Sequence, residues 1–92
     1  MQIFIKDNIV IDTIDDQIVI TKKNKNNEID ISNAIVLDDV AKFIFENIQS
    51  GLTENDILER IISQYDIDKE VAEKDLTNFI KQLEEEKIVY VK

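Results

Sequence analysis

The sequence contains no cysteine, histidine, proline or tryptophan, and it has a single glycine. Without cysteine and histidine the chain has no disulfides, no thiolate or imidazole metal ligands, no thiol nucleophile and no imidazole proton shuttle. A single glycine excludes the glycine-rich loops that cradle phosphate groups. We therefore expect no cofactor, no metal and no catalytic residue, and we predict that the protein is not an enzyme.

Long apolar segments and a surplus of positive charge are also missing. No apolar run approaches the roughly 18 residues that span a bilayer, and the start, Met-Gln-Ile-Phe-Ile-Lys, lacks the pattern of a signal peptide. We expect a cytoplasmic protein with no membrane partner. Eleven basic residues against 20 acidic ones give a net charge of −9, so we also expect no nucleic acid as a partner, because phosphates would be repelled.

The acidic residues are the remaining candidates for chemistry. They stand next to one another at expected turns and helix ends, where carboxylates cap backbone amides and contact solvent. The groups are Asp15-Asp16, Asp38-Asp39 and the run from Glu84 to Glu86. Side chains adjacent in sequence point in different directions, so these groups are interpreted as caps and solvated charges rather than as catalytic pairs.

The first third of the chain has the pattern of a sheet. A chain of 92 residues with 43% apolar content is long enough for one domain. Isoleucines two residues apart, among β-branched neighbours, predict two strands on either side of an Asp15-Asp16 turn. The odd positions Ile29, Ile31, Ile35 and Leu37 are expected to share one face of a third strand, with a bulge near Ser32-Asn33.

From residue 38 to residue 87 the apolar period changes from two to 3.6, which predicts three helices. Asp38 or Asp39 is expected to cap the first, Gly51 to end it, Thr53 to cap the second and Asp68 the third. Residues 88–92 are predicted to form a short terminal strand. The predicted fold class is α+β: a winged helix-turn-helix with a three-stranded antiparallel sheet (1–37), three helices (38–87) and that C-terminal strand, in a single domain over 1–92.

Several short motifs in the second half occur in a recognisable order. They are Leu37-Asp38, Ile44-Phe45-Glu46, Gly51-Leu52-Thr53, Tyr65-Asp66, Asp75-Leu76 and Phe79-Ile80. In this order they resemble the PqqD family of small winged-helix domains. These domains are also called recognition elements of ribosomally synthesised and modified peptides. Asp38 and Phe45 replace the commoner asparagine and tryptophan, so the chain resembles a divergent member.

The resemblance implies a non-catalytic adaptor that binds the leader of a precursor peptide. The leader is expected to add a strand to the edge of the third strand, beside the third helix, because strand addition needs only free main-chain groups. The expected partner is a separate modifying enzyme, such as a radical SAM maturase, a cyclodehydratase or a leader peptidase. The residues implied for peptide binding are Ile29, Asp30, Ile31, Ser32, Asn33, Ala34, Ile35 and Val36 on the strand, and Val71, Lys74, Asp75 and Asn78 on the helix.

The residue pattern alone leaves alternatives open. It favours core positions for Ile31 and Ile35, a solvated charge for Lys74, and for Asp75 either a hydrogen bond to a nearby amide or a polar position beside a groove. A winged-helix transcription regulator is one alternative function. Another is a homodimeric interaction module that pairs through the strand edge, and a monomer or a weak homodimer is expected.

Overall fold

The structure is a computed structural model that describes residues 2–92. Two antiparallel sheets, ordered β2-β3-β4 and β1-β5, combine with three helices in an α+β fold, as predicted. The predicted three-stranded sheet is β2-β3-β4. The elements are β1 (Ile3–Ile5), β2 (Ile9–Ile14), β3 (Gln17–Lys23), β4 (Ile29–Val36), α1 (Asp39–Gln49), α2 (Glu54–Tyr65), α3 (Lys69–Glu85) and β5 (Val89–Val91).

A two-residue turn joins β2 to β3, where Ile14 pairs with Gln17. Asp15 and Asp16 both have positive φ, at 51° and 66°. A two-residue hairpin turn needs this left-handed backbone conformation, because the turn must match the right-handed twist of its strands. Aspartate adopts the conformation more readily than most residues. The predicted turn is therefore confirmed, and the Lys42 ammonium donates to the Asp16 carbonyl at 2.6 Å, which ties the turn to α1.

β4 pairs with β3 in two registers. Ile20 pairs with Ile35, but Lys22 pairs with Asp30, so Thr21 of β3 faces four residues of β4, Ile31 to Ala34. The expected bulge near Ser32-Asn33 is confirmed, and it holds three extra residues. The expected single face of Ile29, Ile31, Ile35 and Leu37 is wrong, because an odd number of extra residues breaks the alternation: Ile29 and Ile31 are exposed, whereas Leu37 is buried.

The second sheet joins the two ends of the described chain. β1 pairs with β5 through Ile3–Val91, Phe4–Tyr90 and Ile5–Val89, and the Phe4 and Tyr90 rings stack with centroids 5.3 Å apart. The terminal strand was predicted, but β1 was not. Three consecutive apolar residues carry no alternation, and the partner strand lies at the far end of the chain, so no local signal marks this strand.

The helices begin where the capping residues predict. The Asp38 carboxylate accepts from the Ala41 amide at 2.8 Å. Thr53 and Asp56 form a reciprocal capping box at the start of α2, although aspartate replaces the usual glutamate. Asp68 lies at the start of α3 without a side-chain cap hydrogen bond. Gly51, at φ 83°, follows the end of α1 in the left-handed conformation that glycine adopts at little cost.

The core lies between the helices and the inner faces of both sheets. Phe45 of α1 is its largest fully buried side chain, and the same cluster includes aliphatic residues from β3, α2, α3 and the β5 region. One buried polar group serves the helix packing: the Asn47 amide donates to the Phe43 carbonyl and accepts from the Arg60 guanidinium, which joins α1 to α2. The buried members of the core are Ile3, Ile18, Ile20, Leu37, Ile44, Phe45, Ile48, Ile57, Leu58, Ile61, Ala72, Leu76, Ile80, Leu83, Ile88 and Val89.

Candidate functional site

β4 is an edge strand of the three-stranded sheet, with β3 on one side only. It is also the longest strand of that sheet, and seven of its eight residues are exposed. Three of them are large and apolar: Ile29 is 50% exposed, Ile31 77% and Val36 55%. A long edge with free main-chain groups and exposed isoleucines is a template for pairing with another strand.

The bulge in β4 is organised by Asp30. Its Oδ1 atom accepts hydrogen bonds from the Ser32 backbone amide at 3.0 Å and the Ser32 hydroxyl at 2.5 Å, and its Oδ2 atom accepts from the Asn33 side-chain amide at 3.5 Å. The Ser32 hydroxyl, followed by the Ser32 amide, lowers the pKa of the Asp30 carboxyl, because these donors stabilise the ionised form. Nearby Lys22 lowers that pKa further. The Asp30 side chain is therefore ionised when it accepts the hydrogen bonds that organise the bulge.

The four residues of the third helix that are predicted to bind the peptide lie on one flank of α3. Val71, Lys74, Asp75 and Asn78 are spaced at helical intervals and all are exposed, with Val71 at 50%. The Lys22 ammonium on β3 donates to the carbonyl of Glu86, the C-cap of α3, so the sheet and the end of this helix are joined. Lys74 and Asn78 line an open cavity of about 340 Å³, but none of the four cavities described is lined from both β4 and α3.

Exposure decides between the alternatives for two of these residues. The interpretation of Ile31 as a core residue is wrong, because the bulge turns its side chain into solvent, whereas Ile35 is partly buried against the core. Asp75 is exposed, and among residues 2–92 the structure gives its carboxylate no hydrogen-bond partner. The hydrogen bond to a nearby amide is therefore not formed within the described part of the chain, and the polar position of Asp75 beside a groove stays a prediction, because Asp75 lines none of the described cavities.

Sequence reasoning missed two features. The largest of the described cavities, about 550 Å³, lies between α2 and α3, on the other flank of α3. The sequence shows its glutamates only as acidic positions on two separate helices, with no sign that they line one cavity. The second feature is Thr21, which is 7% exposed and whose hydroxyl oxygen has no hydrogen-bond partner among the described residues. A threonine in a β-branched strand gives no signal that its hydroxyl is buried.

Two kinds of feature are absent from residues 2–92. No group of three or more carboxylates in this part of the chain is placed to hold a metal ion. None of its helices is long and apolar enough to cross a membrane.

The fold and the free strand edge define a small winged-helix-type domain with an exposed edge strand, β4. The chain belongs to the PqqD family: coenzyme PQQ synthesis protein D matches residues 18–89. Two solved structures are similar over essentially the whole chain. One, "TbiB1 in complex with the TbiA(beta) leader peptide", has 24% identity, a TM-score of 0.80 and full coverage of both chains. The other, "lasso peptide synthetase B1 complexed with the leader peptide", has 19% identity, a TM-score of 0.82, and covers 99% of this chain and 100% of its own. A search of curated proteins finds no match.

Proposed function

We propose that this protein is a non-catalytic adaptor that binds the leader of a ribosomally synthesised precursor peptide and presents it to a separate modifying enzyme. The observation that carries the proposal is the free edge of β4, with Ile29, Ile31 and Val36 exposed along it. Membership of the PqqD family and the fold shared with two leader-peptide complexes support it.

Strand addition explains why an unpaired apolar edge is kept. Main-chain hydrogen bonds supply affinity without special residue types, and pockets for alternate side chains supply selectivity. The Ser32 amide is already bonded to Asp30, so an incoming strand would pair with β4 on either side of the bulge. Val71 and Asp75 on α3 would then contact its side chains, one through apolar burial and the other through its free carboxylate.

The edge of β4 is favoured over the opposite edge of the sheet. β2 is shorter, with six residues against eight, and has one large exposed apolar side chain, Ile14, among residues 9–14. Ile14 is 55% exposed, as Val36 is, so it serves as a matched control for substitutions on β4.

The test is a fluorescence anisotropy titration of labelled leader segments from short precursor genes adjacent to this one. We expect a Kd on the order of 1 μM, because ordering a flexible peptide offsets part of the strand-pairing energy. Ile31→Glu or Val71→Glu should weaken binding about tenfold or more by placing a charge in an apolar contact, and Asp75→Ala should weaken it less. Ile14→Glu, on the other edge, should leave the Kd unchanged.

Circular dichroism of each variant separates lost binding from lost folding. Equal weakening by Ile14→Glu and Ile31→Glu would place the contact away from β4. If a folded monomer bound none of the candidate leaders, the adaptor function would be wrong. Light scattering would then test the alternative of a homodimeric interaction module, and electrophoretic mobility with duplex DNA would test the alternative of a transcription regulator.

A further inference from the structure

The two flanks of α3 carry different surfaces. The flank with Val71 and Asp75 is the proposed peptide wall, whereas the opposite flank faces α2 and lines the 550 Å³ cavity. The lining has an apolar part, called the floor below, which consists of Leu58, Ile62 and Leu76, and an exposed acidic part that includes Glu59 and Glu73. Its volume lies within the roughly 300–1,000 Å³ of ordinary binding pockets.

A second cavity lies next to this one along α3. The second cavity, about 290 Å³, has Ile80 and Val91 in its lining. Both cavities are lined by Glu54 and Thr77, and the Thr77 hydroxyl donates to the Glu54 carboxylate at 3.3 Å between them. Leu76 and Ile80 are four residues apart, which is about 6 Å along the helix axis. The groove therefore has two apolar floors, separated by about one helical turn.

The geometry of the groove selects the kind of occupant. The 550 Å³ cavity is walled by α2 and α3, whose backbone hydrogen bonds are internal, so recognition there depends on side chains. Only the second cavity has a strand residue, Val91 of β5, in its lining. Two apolar floors about 6 Å apart match residues i and i+4 of a helix lying in the groove. The charged groups that line the two cavities are four glutamates against two lysines, namely Glu54, Glu59, Glu73 and Glu84 against Lys69 and Lys81.

We propose that the groove between α2 and α3 docks a Lys/Arg-rich amphipathic helix of the modifying enzyme. The acidic part of the lining complements its basic face, and the two floors take apolar side chains one turn apart. Naming the modifying enzyme rests on the proposed function, whereas the groove and its preference for a basic helix do not. One α3 helix would then contact the leader on one flank and the enzyme on the other, so peptide and enzyme bind at the same time.

The test is a titration of ¹⁵N-labelled protein with an N-acetylated, C-amidated 14-residue peptide of leucine and lysine, with leucines at i and i+4. The same peptide with glutamate for lysine is the peptide control. We expect amide shifts at Leu58, Ile62, Thr77 and Ile80 with the lysine peptide alone. The double variant Glu59→Lys/Glu73→Lys should weaken binding about tenfold.

A matched double variant distinguishes groove binding from general attraction to an acidic protein. Glu28→Lys/Glu46→Lys changes the net charge by the same amount at exposed positions of the β3–β4 loop and α1, and it should weaken binding less than about twofold. Equal weakening by both double variants, or shifts spread outside the groove, would overturn the proposal. The same amides shifting with protein concentration alone would assign the groove to a second copy and also overturn it.

A leader titration of the unsubstituted protein separates this proposal from the proposed function. If the leader binds and the lysine peptide does not, the docking groove is wrong and the adaptor function stands. If the lysine peptide binds in the groove and every leader fails, the groove stands and the adaptor function is wrong.

Discussion

Replacing Thr21 by valine should stabilise the protein. Thr21 lies on the central strand β3, directly opposite the bulge of β4, and its hydroxyl oxygen has no partner among the described residues. A buried hydroxyl without a hydrogen bond costs about 1–3 kcal/mol. Valine keeps the β-branched shape that suits a strand and removes the polar atom.

The size of the effect follows from the burial. At 7% exposure the Thr21 hydroxyl has lost nearly all of its contact with solvent, so we expect the free energy of unfolding to rise by about 1–2 kcal/mol. For a protein of this size this is a rise of roughly 1–2 M in the urea midpoint and of about 4–16 °C in Tm. Urea unfolding followed by circular dichroism measures the midpoint, with the m-value checked for constancy.

Thr13→Val is the matched control. Thr13 lies on β2 with an exposed side chain, so its hydroxyl is solvated and the same change should alter stability by less than about 0.5 kcal/mol. If Thr21→Val were neutral or destabilising while Thr13→Val was neutral, the Thr21 hydroxyl would have a hydrogen-bond partner in solution. The assignment of an unpartnered buried group opposite the bulge would then be refuted.

Two further predictions concern the core and the bulge. Phe45→Ala should destabilise the fold by about 3–5 kcal/mol, a large part of the total stability of a small domain, whereas Val40→Ala on the exposed side of α1 should cost less than about 0.5 kcal/mol in urea unfolding. A Phe45→Ala effect as small as that of Val40→Ala would show that Phe45 is not at the centre of the core. Because the pKa of Asp30 is lowered in the folded protein, its stabilising bonds are present above the ordinary value of 3.8 and are lost as the pH falls through the lowered value. The Ser32 amide shift in an NMR pH titration should therefore have a midpoint below 3.8, absent in Asp30→Asn, and a midpoint at or above 3.8 would contradict this assignment.

Most of the helical half could be predicted because its signals are local. The Thr53–Asp56 capping box and the positive φ of Gly51 depend on residues within one turn of the helix ends, and the sequence shows them directly. β1 could not be predicted, because its three residues become a strand only by pairing with β5 at the other end of the chain. A single sequence contains no pattern that shows which distant strand β1 pairs with.

The shape of the candidate site could not be predicted from the sequence. The resemblance placed peptide binding on β4 and α3, and the polar Ser32-Asn33 pair indicated a bulge. The number of extra residues is set by the register against β3, and this number decides that Ile31 faces solvent rather than the core. The groove between α2 and α3 was missed for a similar reason, since its volume depends on how two helices pack and not on either helix alone.

The features that make β4 available to a peptide also limit its pairing with another copy of the protein. A regular exposed edge with isoleucines would invite self-association, and natural edges are protected by bulges and by charged side chains. Here the bulge removes the Ser32 amide from the edge, Asp30 places an ionised carboxylate on it, and two copies would each carry a net charge of −9. A flexible peptide can pair on either side of the bulge, and one with basic residues is attracted by the charge that repels a second copy. The same edge would thus disfavour pairing with a second copy while leaving room for the proposed leader peptide.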